Sequence, residues 1–198
     1  VYTTIPLKFK YILKKINMKK TRMKTLPVLL LAFMVLPVGL LAQDADDNKL
    51  INDCNEAKEA FIKADGLMKA LFDNSYGYVI FPNVGKGAVG IGGAAGNGIL
   101  FEKGNTIGKA KMKQVTVGFQ FGGQAYREVI LFETKEMLDR FKDDKFEFAA
   151  QVSAVAAKAG ASADAKYKDG VLVFTQEKGG LMYEAAVGGQ KFDYSAFK

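Results

Sequence analysis

The sequence predicts an α+β fold: mainly antiparallel β-sheet, with an N-terminal amphipathic helix and one short internal helix. Three observations carry that expectation. An apolar stripe of helical period runs through residues 46–72. From Tyr76 the pattern changes to aromatic and β-branched runs of strand length. Those runs are joined by short turns, which favours antiparallel pairing over crossover helices.

In the helical stretch, Leu50, Cys54, Ala57, Phe61, Ala64, Met68 and Leu71 recur at spacings of three and four, with Asp, Glu and Lys between them. Tyr76–Phe81 then reads as a strand ending at Pro82-Asn83. A glycine-rich segment follows (Gly85, Gly87, Gly90, Gly92, Gly93, Gly96, Gly98), where strands approach closely or a backbone leaves room for a ligand. Further strands are expected at Ile99–Lys103, Thr106–Met112, Val115–Phe121 and Tyr126–Phe132, with Gly104-Asn105 as a hairpin turn. Thr134–Lys142 reads as a short helix, with Thr134 as N-cap and Glu136 in the first turn, where the dipole favours an anion. Residues 146–166 are rich in alanine, which favours helix. Yet Phe146, Phe148, Ala150, Val152 and Ala154 alternate with Glu147, Ala149, Gln151 and Ser153, and the strand reading is preferred. Val171–Thr175 and Leu181–Val187 complete the set.

The domain boundary is read from charge. Residues 1–42 hold eight cations (Lys8, Lys10, Lys14, Lys15, Lys19, Lys20, Arg22, Lys24) and no carboxylate. The run Leu26–Leu41 is almost wholly apolar, interrupted by Pro37 and Gly39, and closes on Ala42-Gln43. These are the parts of a cleavable secretory signal, and about 16 apolar residues are short for a membrane span of about 20. Met18 or Met23 would each begin a signal of ordinary length, and residues 1–17 are excluded from the fold. The expected organisation is thus 1–42 as extension and signal peptide and 43–198 as one domain, delivered to the periplasm or secreted. The net charge of +7 belongs to the leader: without residues 1–42 it becomes −1. A nucleic-acid reading, which a basic precursor invites, loses its basis.

Residue types narrow the chemistry further. With no His and a single cysteine, the common nucleophile–base pairs and the His/Cys metal sites are missing, and no disulfide can form within the chain. Cys54 lies on the apolar stripe and reads as a small buried hydrophobe. Gly85-Lys86-Gly87-Ala88-Val89-Gly90 fits G-x-G-x-x-G, but no helix begins there and no acidic residue follows about 20 positions on, so a nucleotide is not expected. No cofactor and no catalysis are expected.

Charge placement stands out instead. Residues 43–73 carry a net −4 and residues 74–127 a net +5, from Lys86, Lys103, Lys109, Lys111, Lys113 and Arg127 against Glu102. On a strand, Lys109, Lys111 and Lys113 share one face. Lysines of this kind guard a sheet edge against aggregation, or they meet anionic headgroups at a membrane surface.

Several stretches, taken in order, resemble the SYLF domain, a lipid-binding module. They are residues 78–87 (YVIFPNVGKG), 92–100 (GGAAGNGIL), 117–124 (VGFQFGGQ), Phe132 through Phe141, and 178–190 (KGGLMYEAAVGGQ). Together they cover nearly the whole chain beyond the leader, and the ordered set is similar to the stand-alone bacterial exported branch. The resemblance implies phospholipid binding, with phosphoinositides as ligands of eukaryotic members and actin as a partner of some yeast ones. Lys86 matches the basic residue of the family's Lys-Gly segment. In eukaryotic members a basic amphipathic helix helps engage the membrane, whereas here the matching helix is acidic (Asp44, Asp46, Asp47, Asp53, Glu56, Glu59). The functional expectation is reversible binding of anionic phospholipid through Lys86, Lys103, Lys109, Lys111, Lys113 and Arg127. The alternative is a structural or protein-interaction module of the bacterial envelope.

Overall fold

The computed structural model describes residues 26–89, 91–117, 124–143, 146–148, 153–178 and 185–197. The chain divides into two compact units, residues 1–47 and 48–198. A helix, α1 (Leu26–Ala64), begins in the first unit and ends in the second. Everything that follows belongs to the second.

After α1 come α2 (Met68–Asn74), β1 (Gly77–Val89), β2 (Ile91–Glu102), β3 (Asn105–Val117) and β4 (Gln124–Phe132). Then follow α3 (Lys135–Lys142), β5 (Ser153–Ala156), β6 (Val171–Glu177), β7 (Ala185–Ala186) and β8 (Gln190–Ala196). The eight strands form a sheet of order β7-β5-β6-β4-β1-β2-β3-β8. Its pairings are antiparallel except that of β5 with β6. The architecture is therefore mixed α/β with a mostly antiparallel sheet.

The two ends of the sheet are drawn together by one stretch of chain. Glu147 bridges to Lys191, and Phe148 exchanges main-chain hydrogen bonds with Gln190 and Gly189 of the β8 end. A few residues on, β5 pairs with β6. The sheet thus curls toward closure around an inner core of Val79, Phe81, Leu100, Met112, Ile130, Phe132 and their neighbours. Phe146 packs against Phe132, Phe141, Phe148 and Phe192 in that core, with ring centroids 5.2–6.1 Å apart. Thr134 caps α3 by accepting from the Met137 N–H, and the apolar residues Leu138 and Phe141 turn inward from that helix.

The outer face carries a second core, in which Cys54, Ala57 and Phe61 of α1 and Met68 and Phe72 of α2 cover Tyr78, Ile80, Ile99, Val129, Leu131 and Phe174. Of the stripe read from the sequence, Cys54, Ala57, Phe61 and Met68 are buried, and Leu50 and Leu71 are partly buried against them. Cys54 is fully buried, its thiol donates to the Ile80 carbonyl at 3.3 Å, and burial pushes its pKa up to about 12. That thiol is packing, not chemistry.

Four expectations change. The single helix over 46–72 is two: it stops at Ala64, where the buried Asp65 carboxylate accepts from the Ser162 N–H (2.9 Å), the Ser162 hydroxyl (2.7 Å) and the Leu67 N–H (3.1 Å). A distant residue thus ends a helix that local periodicity would continue. The strands expected separately at Thr106–Met112 and Val115–Phe121 are one, β3 (Asn105–Val117), as far as it is described, while the glycine-rich segment is a place of close strand approach as expected, forming the far halves of β1 and β2. β1 is bulged between Ile80 and Asn83, around a proline that has no N–H to give the ladder. Within 146–166, strand is confined to Ser153–Ala156 and the Glu147 bridge, while Ala161, Ala163 and Ala165 close hydrogen-bonded turns. Residues 149–152, on which part of that reading rests, lie outside the described residues, as do 118–121 and 181–184 of two other expected strands. Finally, β8 has no counterpart among the sequence expectations, although its burial alternates cleanly through Phe192 and Asp193.

Candidate functional site

The lysine-bearing strand is β3. Ala110, Met112 and Gln114 point into the inner core, so Lys109, Lys111 and Lys113 lie on the outer face, and Lys111 and Lys113 are exposed. In register on β2 they meet Ile99, Asn97 and Ala95; on β8 they meet Ser195, Asp193 and Lys191. Only Ile99 of these β2 partners is buried under the helices; Asn97 and Ala95 are exposed, so this end of the outer face is open. Its small residues make it shallow. A Cβ built on Gly85 would meet nothing within 4 Å.

Two carboxylates temper the charge. Asp193 lies 3.4 Å from Lys113 Nζ, and Glu147 lies 3.5 Å from Lys191 Nζ. These pairs are well exposed, so they exchange freely with competing anions. Beyond Lys113 on the same face stands Val115, 75 % exposed. The row therefore runs Lys109, Lys111, Lys113, Val115, with Lys191 beside it.

The remaining candidates are elsewhere. Lys103 sits in the β2–β3 turn at the opposite end of the hairpin, with a positive φ of 49°, and its ammonium stands 5.1 Å from the Tyr76 ring centroid. Arg127 is on β4, separated from β3 by β1 and β2, about 14 Å at ordinary strand spacing. Its guanidinium donates to Gln176 Oε1 at 3.1 Å, and Gln176 in turn donates to the Ala60 carbonyl of α1. Lys178, hydrogen-bonded to Asn83, completes this second cationic group. Burial lowers the Lys178 pKa, as does Arg127, while Asp53 and Glu56 of α1 oppose the shift. Lys178 thus lies within the field of the acidic helix, with Arg127 beside it. Lys86 pairs through its backbone with Ala94 and Gln124, and its side chain lies outside the described residues.

Sequence reasoning missed Lys191 and Asp193, which the alternation of β8 would have revealed, and Val115 as the end of the row. Among the described residues no group of His, Cys, Asp and Glu could hold a metal ion, and no helix is long and apolar enough to cross a membrane.

The site is thus a row of lysines, partly paired with carboxylates, on one open sheet face of a mixed α/β domain. The family model for Ysc84, described as "Las17-binding protein actin regulator", matches residues 113–194, from the end of the lysine row through most of β8. Beta cell expansion factor A of Aeromonas veronii is 30% identical over 169 residues, 77% of this chain; the chain spans 64% of that relative's length. Residues 113–194 thus match the Ysc84 family, which is the SYLF family.

Proposed function

We propose that this protein is an exported, non-catalytic SYLF domain that binds anionic phospholipid headgroups reversibly through the open outer face of β3. The carrying observation is the row Lys109, Lys111, Lys113 that ends on exposed Val115. Near a charged membrane each cation contributes about 1 kcal/mol. Three or four give weak, salt-sensitive attachment, and an apolar residue at the end of the row adds an insertion contact. The leader-like segment ending at Ala42 supports delivery to envelope lipids.

Co-sedimentation of the chain with phosphatidylglycerol or cardiolipin vesicles tests this reading, with binding expected at low salt and loss at high salt. No binding in either condition refutes it. Lys109→Glu combined with Lys111→Glu is expected to weaken binding by about 30-fold or more, from the per-cation contribution, with an unchanged far-UV spectrum. Unaltered affinity would move the site off β3.

The family's description names a protein partner, and that favours protein docking as the second reading. Cross-linking that returns one stoichiometric protein and no lipid would favour it.

A further inference from the structure

The inner face of the sheet is largely apolar; at one end polar side chains meet, among them Gln114 of β3, which lies opposite Gln190 and donates to the Gly188 carbonyl at 2.9 Å. Glu128 of β4, Thr175 of β6 and Gln190 of β8 are each fully buried. Glu128 and Thr175 are direct cross-strand partners, and Gln190 Nε2 donates to Glu128 Oε2 at 2.9 Å. That last bond spans the interior, since β4 and β8 are four places apart in the sheet order. Glu128 Oε1, Thr175 Oγ1 and Gln190 Oε1 have no hydrogen-bond partner among the described residues.

Three buried oxygens without partners call for hydrogens, and their number depends on the state of Glu128. As a carboxylate, Glu128 brings none, and a full charge lies buried with only neutral donors beside it, the Gln190 amide N–H at 2.9 Å and the Thr175 hydroxyl of the facing strand. As a carboxylic acid it brings one more. Two hydrogens then serve three oxygens, Thr175 donating to the acid and the acid donating to Gln190, with no charge left in the core.

We propose that Glu128 is the proton-binding site of a clasp that holds β8 against β4 and β6 across the inner core, closed by the neutral acid and loosened by its ionisation. The surroundings favour the neutral form. Among the described residues at this end, Tyr126 of the same strand is the titratable neighbour; burial and then Glu128's charge raise its pKa, against a hydrogen bond with the Gln190 side chain that lowers it. The other strands present uncharged groups: Phe81 from β1, Met112 from β3, Val173 from β6 and Phe192 from β8. Burial pushes the Glu128 carboxyl up to about 7, against the lowering effect of Gln190.

The test is a carboxyl-carbon NMR titration of the full chain labelled at glutamate, from pH 4 to 9, paired with urea unfolding at pH 5 and 8. One glutamate is expected to titrate near pH 7, well above the rest, and to vanish in Glu128→Gln. The unfolding constant of the wild type is expected to rise between pH 5 and 8 by a Glu128 contribution on the order of a hundredfold, which Glu128→Gln removes. All glutamates titrating in the ordinary range would overturn the proposal. So would a Glu128→Gln protein that keeps the whole pH dependence. Should that variant fail to fold, the wild-type titration decides alone.

Discussion

At the scale of the residue, the glycine-rich run separates into positions that need glycine and positions that do not. A Cβ on Gly98 would stand 2.4 Å from the Ile80 carbonyl oxygen and 2.7 Å from the Phe81 ring. Both neighbours belong to a packed strand and cannot withdraw cheaply. Gly98→Ala is therefore expected to lower stability by about 1–3 kcal/mol, as overpacking does. Gly85→Ala meets open space, and the stiffer unfolded chain should leave it neutral or stabilised by about 0.4–1 kcal/mol. Urea midpoints for the two variants, compared at one pH, check the pair; equal effects would contradict this division. In the sequence all these glycines look alike, because what distinguishes them is the strand lying opposite.

At the scale of the element, α1 and α2 cover the outer face through a few large contacts. Phe61 is fully buried in the outer core, and Phe61→Ala is expected to cost about 3–5 kcal/mol of unfolding free energy. Asp65 works differently: it stops α1 and ties the turn to residue 162. The Ser162 hydroxyl is the largest cause holding its carboxyl below the usual carboxylate range. A depressed folded pKa means that Asp65 stabilises the fold above the ordinary carboxylate pKa, and that this contribution is lost as pH falls through the folded value. Asp65→Ala is expected to cost about 2–3 kcal/mol near neutral pH, since it leaves a buried N–H and hydroxyl without their charged acceptor. Guanidinium unfolding at pH 7 and pH 3 should show the penalty shrinking at the lower pH. The helical stripe could be read from the sequence because burial repeats every three to four residues. The break has a local part, Gly66 and the Asp65–Leu67 contact, but its anchor at residue 162 leaves no local pattern.

At the scale of the whole molecule, two buried carboxyls act on stability in opposite directions. Asp65 favours the fold as pH rises out of the acid range. Glu128, with a folded pKa raised to about 7, contributes stability that is complete below its ordinary value of 4.5 and is lost as pH rises toward 7. The thermal midpoint of the full chain is therefore expected to peak at mildly acidic pH and to fall toward pH 8, with the fall reduced in Glu128→Gln. A midpoint that rises steadily to pH 8 would contradict the sign. The charge map also becomes clear only at this scale. The net +5 of residues 74–127 looked like one surface in the sequence. The fold divides it among the open row on β3, a turn lysine over Tyr76, and Arg127, which is three strands away and hydrogen-bonded to Gln176.

What the sequence alone determined is what depends on near neighbours in the chain. It set a mixed α/β class with mostly antiparallel sheet, the apolar stripe of α1, the capped α3, the shared face of Lys109, Lys111 and Lys113, and the resemblance to the SYLF family, because periodicity, caps and ordered motifs are local signals. Only the tertiary structure decided which cations stand together, that Lys191 and Val115 join the row, that Asp65 ends a helix, and that Glu128 lies inside the sheet. Each of those depends on strand order and register, which bring together residues 39 to 97 positions apart. No local pattern records such a meeting.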